Sequence, residues 1–327
     1  MTRARLALLC FALGVYLPVA PAQPGTGTKA HAALVHAVAL SPDGKTLATA
    51  GFDNVVKLWA VNADGTLKEL KEIKGHTGPV YAVAFHPKDN AVLATASLDK
   101  TAKLWSLKDG KATTEFKGHT DIVDAVAFSP DGKVLATASA DKSVRLWNPA
   151  DGKETKNLGT HAGSVYAVVF SPDGKLLASA GGDNSSKTGK EHVVKLWDVA
   201  AGKEHKTLSG HDQPVTAITF LGDEKTLASA SMDRTIRFWD TATGKESKKV
   251  GPTPDDPYAL AWSKDAKALG VCGYSGRLAV WPAGADKEGF TAQVKSPGYC
   301  VTFTPDGKAL ISGHDNGTVV LTKISAK

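Results

Sequence analysis

Gly75-His76-Thr77-Gly78-Pro79-Val80-Tyr81-Ala82-Val83-Ala84-Phe85 returns, slightly altered, as Gly118-His119-Thr120-Asp121-Ile122-Val123-Asp124-Ala125-Val126-Ala127-Phe128. Each stretch enters a turn, His86-Pro87-Lys88-Asp89 or Ser129-Pro130-Asp131-Gly132. Each then continues through Leu-Ala-Thr-Ala-Ser, an Asp two residues on, and a run ending in Lys or Arg, Leu and Trp. Working outward, the same unit recurs with Trp59, Trp105, Trp147, Trp197, Trp239 and Trp281, and a seventh copy ends at Leu321, where Leu replaces Trp. Successive spacings are 46, 42, 50, 42, 42 and 40 residues, a period that fits four short strands per repeat.

The local pattern is that of strands. Val83-Ala84-Phe85 and Val92-Leu93-Ala94-Thr95 are short, β-rich and flanked by turn residues. Ser-Pro-Asp-Gly at 41–44, 129–132 and 171–174 supplies Pro to preset φ and Gly for positive φ. No segment keeps a helical period. One four-stranded sheet cannot bury both of its faces, but seven arranged in a ring can. The expected fold is therefore all-β: a seven-bladed β-propeller of four-stranded antiparallel blades over residues 23–327.

These repeats resemble the WD-repeat (Trp-Asp repeat) family over nearly all of residues 24–327, and the chain reads as an exported, bacterial-type member. The resemblance implies a hydrogen-bonded tetrad in each complete copy: a His before the first strand, a Ser or Thr in the second, an Asp in the next turn, and the Trp of the third. Carried over, these are His31, Thr49, Asp53 and Trp59; His76, Thr95, Asp99 and Trp105; His119, Thr137, Asp141 and Trp147; His161, Ser179, Asp183 and Trp197; and His211, Ser229, Asp233 and Trp239. The sixth copy departs, with Thr253, Val271 and Ser275 beside Trp281. The seventh keeps Asp315 but has Val294 and Leu321, so both blades are expected to lack the network. The last copy stops at its third strand, so its outer strand must come from residues 23–30, a family habit that closes the ring.

Composition places the chain among folded globular proteins, with 42% hydrophobic and 22% charged residues. The formal net charge is +6, mostly from scattered lysines, with Arg only at positions 3, 5, 145, 234, 237 and 277. A nucleic-acid binder groups its basic residues on one face, so no nucleic-acid partner is expected. Residues 1–22 read as a signal peptide. Arg3 and Arg5 give a basic start, Leu6 to Ala20 are almost wholly apolar, and Ala20-Pro21-Ala22 places cleavage before Gln23. The alternative, an uncleaved anchor, is disfavoured because a span needs about 20 apolar residues. Export to the periplasm or the exterior follows, with no stable membrane span after cleavage.

Recurring Ser/Thr, His and Asp invite a catalytic-triad reading, but an enzyme needs one accessible site, whereas five equivalent copies each tied to a Trp fit buried polar networks. Thr188-Gly189-Lys190-Glu191 lacks the first Gly and the final Ser or Thr of a phosphate-binding loop. No metal-ligand spacing and no cofactor motif is found. Cys272 and Cys300 each replace an Ala of the repeat, so both are expected to be buried thiols on the small-residue faces of adjacent blades. Like faces do not meet, so no disulfide is expected between them.

In the family, partners touch the start of the first strand and the residue before the turn Asp. Here the first set is His36, Tyr81, Asp124, Tyr166, Thr216, Tyr258 and Tyr299, and the second is Phe52, Leu98, Ala140, Gly182, Met232, Tyr274 and His314. Of the six Tyr in the chain, five fall in these sets. The candidate contact residues are His36, Phe52, Tyr81, Leu98, Tyr166, Met232, Tyr258, Tyr274, Tyr299 and His314. Residues 184–192 add an insertion to the fourth copy, either an idle loop or a further contact. The expected function is a scaffold holding a protein or peptide on the top face. The rivals are a propeller hydrolase or lyase with a site in the central channel, and a component of a larger envelope assembly. Oligomeric state is left open.

Overall fold

The computed structural model describes residues 27–62, 64–183 and 191–324. The signal peptide expected over 1–22 and most of the insertion, 184–190, lie outside the described residues. The described chain forms twenty-eight strands and no helix. They fall into seven four-stranded antiparallel sheets. Blade 1 is Val35–Leu40, Thr46–Gly51, Val56–Val61 and Leu67–Ile73. Blades 2 to 6 begin at Val80–His86, Val123–Phe128, Ser164–Phe170, Val215–Phe220 and Pro257–Ser263. Blade 7 holds Gly298–Phe303, Ala309–His314 and Thr318–Lys323, and takes its outer strand from the other end of the chain. That strand is Gly27–Lys29, with Gly27 opposite Val320, Thr28 opposite Val319 and Lys29 opposite Thr318.

Alternation along each strand puts small residues on one face and large ones on the other. The cores lie between blades and always join unlike faces. Ala94 and Ala96 of blade 2 meet Val123, Val126, Leu135 and Trp147 of blade 3. Ala136 and Ala138 of blade 3 meet Val165, Leu177 and Trp197 of blade 4 in the same way. Trp147 is almost wholly covered, its ring 5.6 Å from that of Phe116. Removing such a ring from a close-packed core costs about 3–5 kcal/mol. Cys272 and Cys300 are buried free thiols. Cys300 sits in the core shared with Val35 of blade 1, whereas Cys272 sits in that of blades 6 and 7. The two sulfurs thus face the same rotational way.

The Ser-Pro-Asp-Gly turns are locked by their own side chains. Ser129 Oγ donates to Asp131 Oδ1 at 2.6 Å, and Asp131 Oδ1 accepts Lys133 N at 3.0 Å. Gly132 has φ +79, and a Cβ there would strike the His86 ring of the preceding blade. Glycine is required twice over, by conformation and by space. On the outer face, basic residues two before the Trp pair with a fourth-strand Glu: Arg145 with Glu154 at 2.7 Å, Lys195 with Glu204 at 2.9 Å and Arg237 with Glu246 at 2.8 Å. The basic character is thus partly spent along the sheet surface.

Candidate functional site

Four blades carry a closed relay of hydrogen bonds. In blade 3, Trp147 Nε1 donates to Thr137 Oγ1 at 2.8 Å, Thr137 Oγ1 lies 2.7 Å from His119 Nε2, and His119 Nδ1 lies 2.8 Å from Asp141 Oδ2. An indole can only donate and a carboxylate can only accept. The hydroxyl proton therefore goes to Nε2, and the Nδ1–H goes to Asp141. Blade 2 repeats this, with Trp105 to Thr95 at 2.8 Å, Thr95 to His76 at 2.6 Å and His76 to Asp99 at 2.7 Å. In blade 5 the distances are 2.8 Å for Trp239 to Ser229, 2.7 Å for Ser229 to His211 and 2.8 Å for His211 to Asp233. In blade 1 they are 3.0 Å for Trp59 to Thr49, 2.7 Å for Thr49 to His31 and 2.9 Å for His31 to Asp53.

Burial holds His31, His119 and His211 below the ordinary imidazole value, against the pull of their Asp partners, so the rings are neutral. Burial alone would raise the carboxylates. For Asp99 the hydrogen bonds from His76 and Thr101 outweigh it, for Asp141 those from Ser143, Thr120 N and His119, and for Asp233 those from His211 and Thr235. All three stay far below the usual range. Thr49, Thr95, Thr137, Ser179 and Ser229 are fully enclosed, and their hydroxyl protons are committed. These groups tie the loop, the second strand and the third strand of each blade together.

The other three blades depart. In blade 4, His161 Nε2 is 2.7 Å from Ser179 Oγ, and Trp197 Nε1 donates to the same oxygen at 2.7 Å. His161 Nδ1, however, is buried with no partner, so Asp183 does not complete the tetrad expected there. The second strand runs on through Gly182, which pairs with Ser164. The Asp183 carbonyl accepts from His192 Nε2 at 3.0 Å. Blade 6 reverses the polarity of the cap. Asp255 in the entering loop accepts Ser275 N and Oγ, both at 2.7 Å.

Blade 7 corrects the sequence reading by one residue. Val301 pairs with Ser312 as Val38 pairs with Thr49, so Ser312 holds the tetrad hydroxyl position. Asn316, not Asp315, then occupies the turn, accepting Thr318 N at 3.0 Å and Oγ1 at 2.6 Å as Asp99 accepts Thr101. Thr322, not Leu321, stands opposite Leu310 where Trp59 stands opposite Leu47. A one-residue slip exchanges inward and outward side chains. His314 is therefore no rim residue. It is 0% exposed, with Nε2 2.8 Å from Ser312 Oγ and Nδ1 donating to Ser296 O at 3.0 Å. Blade 7 thus keeps an imidazole–hydroxyl pair, supplied from the strand instead of the loop.

The seven strand-start residues share one backbone device. In every blade the pairing register between first and second strands breaks across this position, at His36, Tyr81, Asp124, Tyr166, Thr216, Tyr258 and Tyr299. A β-bulge re-aims a side chain out of the ladder. Six of the expected contact residues then join in an arc. Tyr274 is 6.0 Å from Tyr258, which stacks on Tyr299 at 5.3 Å, and Tyr299 is 6.1 Å from His36. His36 stacks on Phe52 at 5.4 Å, and Tyr81 lies 4.8 Å from His36 and 5.0 Å from Phe52. His36 Nδ1 donates to Tyr81 O at 2.7 Å, tying blade 1 to blade 2. Tyr274 is 54% and Leu98 40% exposed. Met232 and Tyr166 are partly covered and stand outside this chain of ring contacts.

Asp124 is the residue that sequence reasoning passed over. Its Oδ2 is enclosed and has no hydrogen-bond partner. Burial first, then Asp121 and Asp141, push its carboxyl up to about 7, against the backbone N–H of Ala140. Its charge reaches both neighbouring positions, adding to the burial that raises the hydroxyls of Tyr81 and Tyr166. The available signal was that it is the one acid among seven equivalent positions. Among the described residues no group of three His, Cys, Asp or Glu gathers to hold a metal ion.

The WD domain, G-beta repeat family matches residues 23–60, 67–106, 110–148, 152–198, 202–240 and 290–322. Bovine coronin-7 is 35% identical over 95 residues, which are 28% of this chain and 10% of coronin-7. The Arabidopsis thaliana transcriptional corepressor LEUNIG_HOMOLOG is 38% identical over 58 residues, 18% of this chain and 7% of that protein. The Arabidopsis protein transport protein SEC13 homolog B is 38% identical over 63 residues, 19% of this chain and 21% of its own length. The match thus spans about a tenth of the length of the coronin-7 relatives. With six matched segments covering most of its length and seven blades in a closed ring, the chain belongs to the WD domain, G-beta repeat family.

Proposed function

We propose that the protein is an exported binding scaffold, without catalytic activity, that holds a protein or peptide against the bulge residues at the mouth of its channel. The arc from Tyr274 through Tyr258, Tyr299 and His36 to Phe52 and Tyr81 carries this reading. Tyrosines with an apolar body and a polar tip are enriched where proteins bind partners, and contact them at small entropic cost. Their position on bulges of a rigid ring preorganises them. The names of two relatives, a transcriptional corepressor and a protein transport protein, accord with binding work in other settings. The enclosed hydroxyls of the tetrads weigh against hydrolysis.

The test combines Tyr81→Ala, Tyr166→Ala and Tyr299→Ala in one variant and compares it with the unaltered protein as bait on the envelope fraction. Loss of the captured partner with near-unchanged melting supports the rim. Equal capture by both baits overturns it. N-terminal sequencing of the fractionated protein tests export separately: a start near Gln23 is expected, and an intact Met1 removes the exported part of the reading.

A further inference from the structure

From blade 1 to blade 7 the bulge positions read His, Tyr, Asp, Tyr, Thr, Tyr and Tyr, with Asp124 between Tyr81 and Tyr166. Every other buried acid described above is answered from within the chain: Asp99, Asp141 and Asp233 each by a His, a hydroxyl and backbone N–H groups. Asp124 is not. Its Oδ2 has no partner, and the charges that reach it, Asp121 and Asp141, are both negative. A carboxylate so placed is costly to the free protein and becomes favourable only when a positive group arrives. The neighbouring tyrosines add faces that attract cations. Among the described residues no group of three His, Cys, Asp or Glu stands beside it for a metal ion.

We infer that Asp124 anchors one cationic side chain, Lys or Arg, carried by the segment that lies across the aromatic arc. The inference rests on the rim reading and gives it a sequence requirement. The arc supplies apolar contact that tolerates many side chains, whereas Asp124 supplies one charge-assisted hydrogen bond that does not. With its carboxyl already poised near neutrality, an arriving cation completes the ionisation and releases the proton to solvent.

Four pools of fluorescent nonapeptides test this, each randomised except for a central Arg, Lys, norleucine or Glu. Binding to the purified protein is read by anisotropy. The Arg and Lys pools should bind about tenfold more tightly than the norleucine pool, and the Glu pool weakest. Asp124→Asn should erase the advantage of Arg and Lys while leaving norleucine binding in place, and should melt no lower than the unaltered protein at pH 8. Asp124→Thr, which borrows the residue at the equivalent position of blade 5, Thr216, is the second variant should the first not fold. Equal binding of all pools, or an Arg and Lys advantage that survives both substitutions, overturns the inference while the rim reading stands. No binding by any pool overturns both. The combined Tyr81, Tyr166 and Tyr299 variant separates the cases, because it should weaken every pool, norleucine included.

Discussion

His314 Nε2 sits 2.8 Å from Ser312 Oγ, two residues back along the same strand, and together they rebuild inside blade 7 a pair that other blades draw from loop and strand. His314→Ala leaves an enclosed hydroxyl and the Ser296 carbonyl without partners. The expected cost is about 1–3 kcal/mol in chemical denaturation. Unchanged stability with weakened partner binding would return His314 to the rim.

His119→Ala and Asp141→Ala should each destabilise the fold by about 1–3 kcal/mol, since each leaves a buried partner unsatisfied. The double variant should cost less than the sum, because the two groups serve one network. Additive losses in a double-mutant cycle would show that the relay does not act as a unit.

His161 makes a different prediction, because its Nδ1 is unpaired. Burial, then Lys195, push its pKa down to about 4, whereas an unfolded His titrates near 6.5. The native state therefore holds fewer protons than the unfolded one between these values. Stability is complete above pH 6.5 and is lost as pH falls toward 4, by roughly 2–3 kcal/mol. His161→Gln can still accept from Ser179 and has no proton to gain, so its urea midpoint should fall less steeply over this window. Parallel pH profiles for the two proteins would contradict the assignment.

Burial raises the thiol of Cys272 well above its ordinary value, and that of Cys300 up to about 12. Both should be inert to thiol reagents in the native protein at pH 8. Denaturation without a reductant should expose two reactive thiols in a chain that begins near Gln23. Finding none would mean that the small faces of blades 6 and 7 approach each other, contrary to the packing described above.

The blades were legible in the sequence because five of them carry a recognisable His, Ser or Thr, Asp and Trp in the same order, and because Ala-x-Ala on one strand face implies a large-to-small stacking rule. The register of blade 7 was harder to read. Asp315 and Asn316 are adjacent, and either suits a turn, so the choice depends on cross-strand pairing of Val301 with Ser312. Blade 4 differs in another way: Asp183 is the right residue at the right distance from Ser179, but the second strand runs on through Gly182 and His161 Nδ1 is left without a partner. At the rim, the aromatic identities were plain from the chain alone, whereas the bulge that points them and the isolation of Asp124 are properties of packing.

The three-residue strand Gly27–Lys29 also fixes an order of events. It is among the first parts of the propeller to leave the ribosome, and its partner Thr318–Lys323 is among the last. Until both exist, blade 7 is short of a strand and the clasp between them is unmade. Unpaired strand edges are what chaperones and proteases meet in unfinished chains. A chain cut short before Thr318 would keep six good blades and leave Gly27–Lys29 and Ala309–His314 without the strand that lies between them. Closure thus waits on the joining of Gly27–Lys29 to Thr318–Lys323, two strands far apart in the chain.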